Sequence, residues 1–391
     1  MESVYLTESH QRFRAEVRDY LARELVPFAA GWEAQGRLPR HAWKSLGEQG
    51  LLGLLHSVDV GGSDRDLFYS VVFLEELGRT GFGGLRAAVS VHAYMATYYL
   101  ARAGSALLKQ RHLAPAIAGD KISALAVTEP GAGSDLAAVA STWHEQPDHV
   151  VINGTKSMVS NGSSADWYLV LARSRTSAGP PVRGPAGLSL FVVDADSAGI
   201  TVERTPPLGW RAADPATVRF DSVRVPPGHR VGNPNSGFYQ LMRGFQLERI
   251  VAALLALGGA DRSLQITREY LVRRRAFGAR LADQQAVRHR VADLATDLAA
   301  ARELVYHAAW RYQSDDIGSV RECSMAKLRA TEFAARMADA SMQLHGANGY
   351  LDDSEVARAF RDARAATIAA GPSEVMRDII ARIEIDEAVN R

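Results

Sequence analysis

The spacing of hydrophobic positions changes twice along the chain. Up to about residue 124 they recur at helical intervals. Thr7, Gln11 and Phe13 open an amphipathic segment, and Trp43–Leu55 (WKSLGEQGLLGLL) makes a second. Asp66–Leu77 and Ala87–Ala103 follow, the last so continuously apolar that burial is expected. From Leu125 the period shortens. Val150–Val159 (VVINGTKSMV) sets Asn153-Gly154 between two β-prone runs, which predicts a hairpin. Trp167–Leu171, Leu188–Val193 and the alternating Val218, Phe220, Val223 and Val225 predict further strands, and the Ser-, Gly- and Pro-rich stretch 175–185 an exposed loop. After Gly-Asn-Pro-Asn at 232–235, helical spacing returns over Phe238–Arg274, Gln285–Gln313, Val320–His345 and Ser373–Glu384. The expected class is α+β: an N-terminal helical domain (1–124), a middle β-barrel or sandwich domain (125–232) and a C-terminal helical bundle (233–391).

Composition narrows the function. With 391 residues the chain exceeds one ordinary core, and 45 basic against 44 acidic residues give no support for nucleic-acid binding. Only five of the basic residues are lysines, a bias that reads as genomic composition rather than a binding patch. The single cysteine, Cys323, excludes an internal disulfide and fits a reducing cytoplasm; within a helical run it reads as a small buried hydrophobe. The N-terminus is charged and lacks the apolar core of a signal peptide, no run is expected to span a bilayer, and no CxxC or HExxH metal motif occurs.

One carboxylate stands out by position. On a helix beginning near Phe238, Leu241, Phe245, Glu248, Ala252 and Leu255 fall within about 80° of one another, with Glu248 at the centre of the apolar stripe. Burial there without a partner raises a carboxyl pKa and makes a base competent near neutral pH. A buried ion pair with Arg249 fits the same pattern, so spacing leaves both open. The Gly-rich turn Thr128–Asp135 (TEPGAGSD), after the apolar Ala124–Val127, reads on its own better as a plain turn than as a ligand cradle.

Taken together, TEPGAGSD, Arg274–Gln285 (RRAFGARLADQQ) and Gln343–Arg377 resemble the acyl-CoA dehydrogenase family, over essentially the whole chain. The resemblance implies FAD. Leu125, Val127 and Thr128 would contact the flavin ring, Gly133 and Ser134 the flavin phosphate or the pantetheine arm, and Met158-Val159-Ser160 the isoalloxazine edge, where Met departs from the usual aromatic residue. Arg274, Phe277 and Gln285 would grip the FAD of a neighbouring subunit, as would Gln343, Leu344, Gly346 and Ala347; Arg suits a pyrophosphate because its donors form a fork. Pro372 replaces a usual Thr, and Glu374 aligns with a Gln or Glu. A homodimer or homotetramer is implied.

Many members carry a catalytic glutamate in the turn before the last helix, where this chain reads Ala369-Ala370-Gly371. The isovaleryl-CoA dehydrogenase branch instead places its base within L-E-R, and Phe245–Ile250 (FQLERI) matches that segment, with Gln246 in place of its usual Asp. By this resemblance Glu248 would remove the α-proton of an acyl thioester while the β-hydrogen leaves as hydride to flavin N5. The backbone N–H of Ala370 would hold the developing oxyanion, and Ser134, Tyr239, Phe245, Gln246, Arg249 and Gly371 would line the substrate channel. A short or branched acyl-CoA is the expected substrate and an electron-transferring flavoprotein a possible partner. Alternatives are an acyl or prolyl thioester on a carrier protein, and flavin-dependent oxygenation on the same fold.

Overall fold

A computed structural model describes residues 3–175, 182 and 184–389. Most of the loop expected at 175–185 (176–181 and 183) therefore lies outside the described residues.

The N-terminal part is helical: α1 (Glu8–Tyr20), α2 (Val26–Gln35), α3 (Arg40–Glu48), α4 (Leu67–Arg79), α5 (Gly83–Val91), α6 (Thr97–Ala103), α7 (Ala106–Leu108) and α8 (Ala114–Ile117). The helix expected over Trp43–Leu55 stops at Glu48. Gly50 takes a left-handed φ of 68° and ends it, a conformation that costs glycine nothing. The run Ala87–Ala103 is helical but broken by a wide π turn, His92–Ala96. His92 is fully buried there. Its Nδ1 accepts from the Ser123 N–H (3.1 Å), so Nε2 donates to the Ala116 carbonyl (3.0 Å), which ties the turn to α8 and to the first strand.

The strands are β1 (Ser123–Ala126), β2 (Thr142–Glu145), β3 (Val150–Val159), β4 (Trp167–Ser174), β5 (Leu188–Asp194), β6 (Ile200–Arg204), β7 (Ala216–Val225) and β8 (Arg230–Val231). They form one sheet in the order β6-β7-β3-β2-β4-β5-β8, with β1 parallel to β4. The expected hairpin at Asn153-Gly154 is wrong. β3 runs straight through, pairing with β2 and β7, and Gly154 sits at a bulge where a Cβ would collide with Ser141. Glycine there permits close backbone approach rather than a turn. On one side, Trp167, Leu169, Leu171, Leu188, Leu190 and Val192 pack against helices; on the other, Tyr168, Val170, Phe191 and Val193 meet Trp143, Ile152, Val218 and Phe220 in a core enclosed by the strands themselves. Burial on both faces explains why β4 and β5 read as unbroken apolar runs.

The last part holds α9 (Gly237–Arg273), the hairpin β9 (Arg275–Ala276) and β10 (Ala279–Arg280), α10 (Gln285–Ser314), α11 (Val320–His345), α12 (Glu355–Ala366) and α13 (Ser373–Val389). Against expectation, α9 is long and apolar enough by length and composition to cross a membrane, but 67% of its most apolar window is buried in the protein. It is the central core helix, packed on α4, α10 and α11. Cys323 is buried on α11 as expected, and burial pushes its thiol up to about 11. The helical and β parts are tied by a cluster of His112, Asp194 and His229, in which His112 Nε2 meets Asp194 at 2.8 Å and His229 Nδ1 donates to the Val192 carbonyl at 3.1 Å.

Candidate active site

Glu248 lies in the first half of α9 and is 6% exposed. The Tyr99 hydroxyl, from α6, donates to its Oε1 at 2.5 Å. Arg249 does not pair with it: that guanidinium donates to Gln246 Oε1 (2.7 Å) and Ser324 Oγ (3.3 Å), and among the described residues no ion pair joins the two. Burial pushes the Glu248 carboxyl up to about 7, against a smaller downward pull from Tyr99 and Arg249. The buried ion pair left open by the spacing is therefore absent, and a carboxylate poised near neutrality remains. Gln246 is buried with both ends of its amide engaged, Nε2 donating to the Met242 carbonyl at 2.9 Å.

The loop before α13 comes to the same place. Buried Lys327 on α11 donates to the Gly371 carbonyl (2.6 Å), and Ser324, one turn earlier, meets Arg249 of α9. Ala370 is held at a φ of 53°, which costs a non-glycine residue roughly 1–2 kcal/mol and persists only where the surroundings fix it. Among the described residues its N–H has no acceptor. Gly371 is also left-handed (φ 90°). Pro372 is half-buried, and Glu374 is exposed at the start of α13.

The turn Thr128–Asp135 is anchored from beneath. Glu129 points inward and accepts from the N–H groups of Ala140 (2.7 Å) and Ser141 (2.9 Å) and from Lys156 Nζ (2.7 Å), which also donates to the Val127 carbonyl (3.1 Å). Gly131, Gly133 and Ser134 face outward. Neither glycine has a left-handed φ and a Cβ on either would touch nothing, so the chain's own packing does not demand glycine there. Beside the turn, the Ser157 N–H donates to the Thr128 carbonyl (2.9 Å), and the next residue, Met158, is 57% exposed at a φ of 54°. Ser160 is half-buried, whereas Val159 turns its side chain into the sheet core, leaving only its backbone for a ligand. Leu125, Val127 and Phe245 share one apolar cluster with Tyr99 and Leu241, which joins this turn to α9. Tyr239, one turn before Arg243, is exposed.

A third group lies elsewhere. Arg274 follows α9, Phe277 stands fully exposed at the tip of the β9–β10 hairpin (φ 52°), and Gln285 is exposed at the start of α10. Gln343, Leu344, Gly346 and Ala347 join them, because Tyr270 near the end of α9 stacks on His345 (4.3 Å) and donates to its carbonyl (3.2 Å). At 1.5 Å per residue, Arg274 is roughly 39 Å along α9 from Glu248.

Sequence models of the acyl-CoA dehydrogenase N-terminal, middle and C-terminal domains match residues 7–120, 124–223 and 235–384. The chain belongs to the acyl-CoA dehydrogenase family. It is 33% identical to mitochondrial isobutyryl-CoA dehydrogenase of Bos taurus (98% of this chain, 91% of the relative) and 34% identical to mitochondrial long-chain specific acyl-CoA dehydrogenase of Sus scrofa (96% and 86%). Among solved structures it is similar to an acyl-CoA dehydrogenase from Geobacillus kaustophilus (TM-score 0.91, 38% identity, 97% and 99% covered) and to an FAD complex of PigA (TM-score 0.90, 25% identity, 98% and 98% covered). Like its family, this acyl-CoA dehydrogenase is an FAD-dependent oxidoreductase. Its residues fit that cofactor: an apolar side chain held outward at Met158, beside a turn whose exposed Gly131 and Gly133 leave open space where a side chain would stand, suits a flat ring and its phosphates.

Tyr99, Lys156 and Lys327 are absent from the site expected on sequence. The lysines left a signal, since an arginine-rich chain keeps lysine at both places; burial pulls each down to about 8. Lys156→Met would strand Glu129 as a buried charge, so we expect a loss of about 3–5 kcal/mol in denaturant unfolding. An unchanged unfolding midpoint would show that the Glu129–Lys156 pair does not anchor the turn.

Proposed function

We propose that this chain dehydrogenates a short or branched acyl-CoA between Cα and Cβ, with Glu248 as the base, in the manner of the isovaleryl-CoA dehydrogenase branch. The observation that carries this is a buried carboxylate with no ion-pair partner among the described residues, on a helix tied through Arg249, Ser324 and Lys327 to the loop of the strained Ala370, whose N–H has no acceptor among them. Glu248 takes the α-proton. The Ala370 N–H stabilises the negative charge that develops on the thioester oxygen, a role that needs no side chain. FAD, when bound, supplies the acceptor for the β-hydride. Thr128, Met158 and the outer amides of the Gly-rich turn hold it from one subunit; Arg274, Phe277, Gln285 and the Gln343–Ala347 stretch serve the site of a neighbour, since roughly 39 Å of α9 separates them from their own Glu248.

Relatives named for isobutyryl and for long-chain substrates match almost equally, so identity does not choose the acyl group. Support for a small one comes from the base placement and from the bulk of Tyr99 and Phe245 around it. Electrons pass on to an electron-transferring flavoprotein, the partner that the family resemblance implies. A panel of acyl-CoA and carrier-bound thioesters, mixed anaerobically with the purified flavoprotein, tests this: short or branched acyl-CoA should bleach the flavin. A requirement for NADH and oxygen would overturn it in favour of oxygenation.

A pH dependence follows. Glu248 acts only when ionised, and its carboxyl titrates at about 7, so kcat/KM should be flat above that pH and fall about tenfold per unit below it. An acid limb near pH 4.5, the ordinary carboxyl value, would contradict the buried-base assignment.

A further inference from the structure

We infer that Tyr99 is the positioning residue of the base: its hydroxyl holds one oxygen of Glu248, keeps the carboxylate ionised, and leaves the other oxygen to take the substrate proton. This rests on Glu248 being the base and says what sets its working range.

The geometry is specific. Tyr99 is buried at 2% exposure and reaches Glu248 Oε1 at 2.5 Å, while among the described residues Oε2 has no hydrogen-bond partner. The ring lies over Gly244, one turn before Glu248 on α9, where any Cβ would collide with Tyr99 Cε1, Cζ and Oη. Gly244 has no left-handed φ, so the backbone does not require glycine; the ring does. A buried carboxylate with no ion-pair partner among the described residues needs a donor, and a phenol is one that cannot neutralise it by full proton transfer here, because burial and the neighbouring carboxylate both raise the Tyr99 pKa well above its ordinary value.

Other charges around the pair are accounted for. On α9, Arg249 is turned to Gln246 and Ser324. On α11, Lys327 is bonded to the Gly371 carbonyl, and Cys323 bears on Arg249. From α6 and α10, Tyr98 and Tyr312 bond each other at 3.0 Å; Arg102 donates to Tyr98, and Arg102 and Arg243 both pair with Asp316. On α4, Glu75 is bonded to Arg14, Arg302 and Tyr306, and Glu76 to Arg18. Tyr99 is thus the only hydrogen-bond donor to Glu248 among the described residues.

The test is the pH profile of kcat/KM for the FAD-loaded enzyme. Tyr99→Phe keeps the ring and removes the donor, so the acid limb should move up by about 1–2 pH units, with activity recovering in alkali. Gly244→Ala keeps the hydroxyl but displaces the ring, and should move the limb in the same direction; it also serves if Tyr99→Phe fails to fold. Neither should reduce FAD content. An unmoved limb in Tyr99→Phe, or in Gly244→Ala where Tyr99→Phe does not fold, overturns the proposal whether or not activity falls. Glu248→Gln separates the two levels: if it remains active, the base assignment itself has failed, whereas an inactive Glu248→Gln beside an unshifted Tyr99→Phe rejects the role of Tyr99 alone.

Discussion

Replacing Glu248 with Gln should lower turnover by 10²–10⁴-fold or more, roughly what a positioned base contributes, while FAD stays bound. The same change should make the fold more stable in alkali. The folded carboxyl titrates at about 7, above the ordinary 4.5. Between those values the folded chain holds a proton that the unfolded chain has released, so stability falls as pH rises through the window, and the deficit is complete above about 7. Gln carries no such deficit. Glu248→Gln should therefore match the parent below pH 4.5 and exceed it above pH 7, by up to ~3 kcal/mol, the cost of raising a carboxyl from 4.5 to about 7. Thermal unfolding at the two extremes of pH measures this. A variant that is less stable in alkali would mean that Glu248 makes a favourable ionic contact in solution.

The second large effect concerns assembly. If Arg274 and Phe277 serve a neighbour's cofactor, Arg274→Ala should lose FAD affinity and activity because a guanidinium fork to phosphate is gone. Mixed with the inactive Glu248→Gln under conditions that exchange subunits, it should regain activity. In a mixed pair, one site combines both defects and the other combines Glu248 of one chain with Arg274 of the other, so it is intact. Two inactive proteins would then give an active one. Failure to complement, with subunit exchange demonstrated, would place both residues in the same chain's site.

The three-part order of helices, sheet and helices was readable because each part has its own hydrophobic period, and α11 begins and ends at the expected Val320 and His345. The misreadings share a cause. Asn153-Gly154 has hairpin composition, but Gly154 answers to Ser141 across the sheet, and the apolarity of α9 answers to the helices around it; both depend on distant neighbours. For the site, Glu248 stood out because a carboxylate broke an apolar stripe. Spacing alone left base and ion pair open and the family resemblance favoured the base; in the structure Arg249 turns to Gln246 and Ser324 instead of Glu248. Tyr99 could not be found from sequence, since its hydroxyl looks like any core tyrosine until α6 is seen against Gly244. Ala370, by contrast, was marked by a missing acid, and its left-handed φ and an N–H without an acceptor among the described residues give that gap a physical content.

In the proposed mechanism the base sits on α9 while the loop at 370 supplies only backbone. Rapid anaerobic mixing of the FAD-loaded protein with a short branched acyl-CoA tests it in a single turnover, before any acceptor takes part. Prompt flavin reduction is expected in the parent and in Ala370→Ser, which keeps the N–H, and reduction slowed by at least two orders of magnitude in Glu248→Gln. Flavin reduction at the parental rate in Glu248→Gln would contradict it.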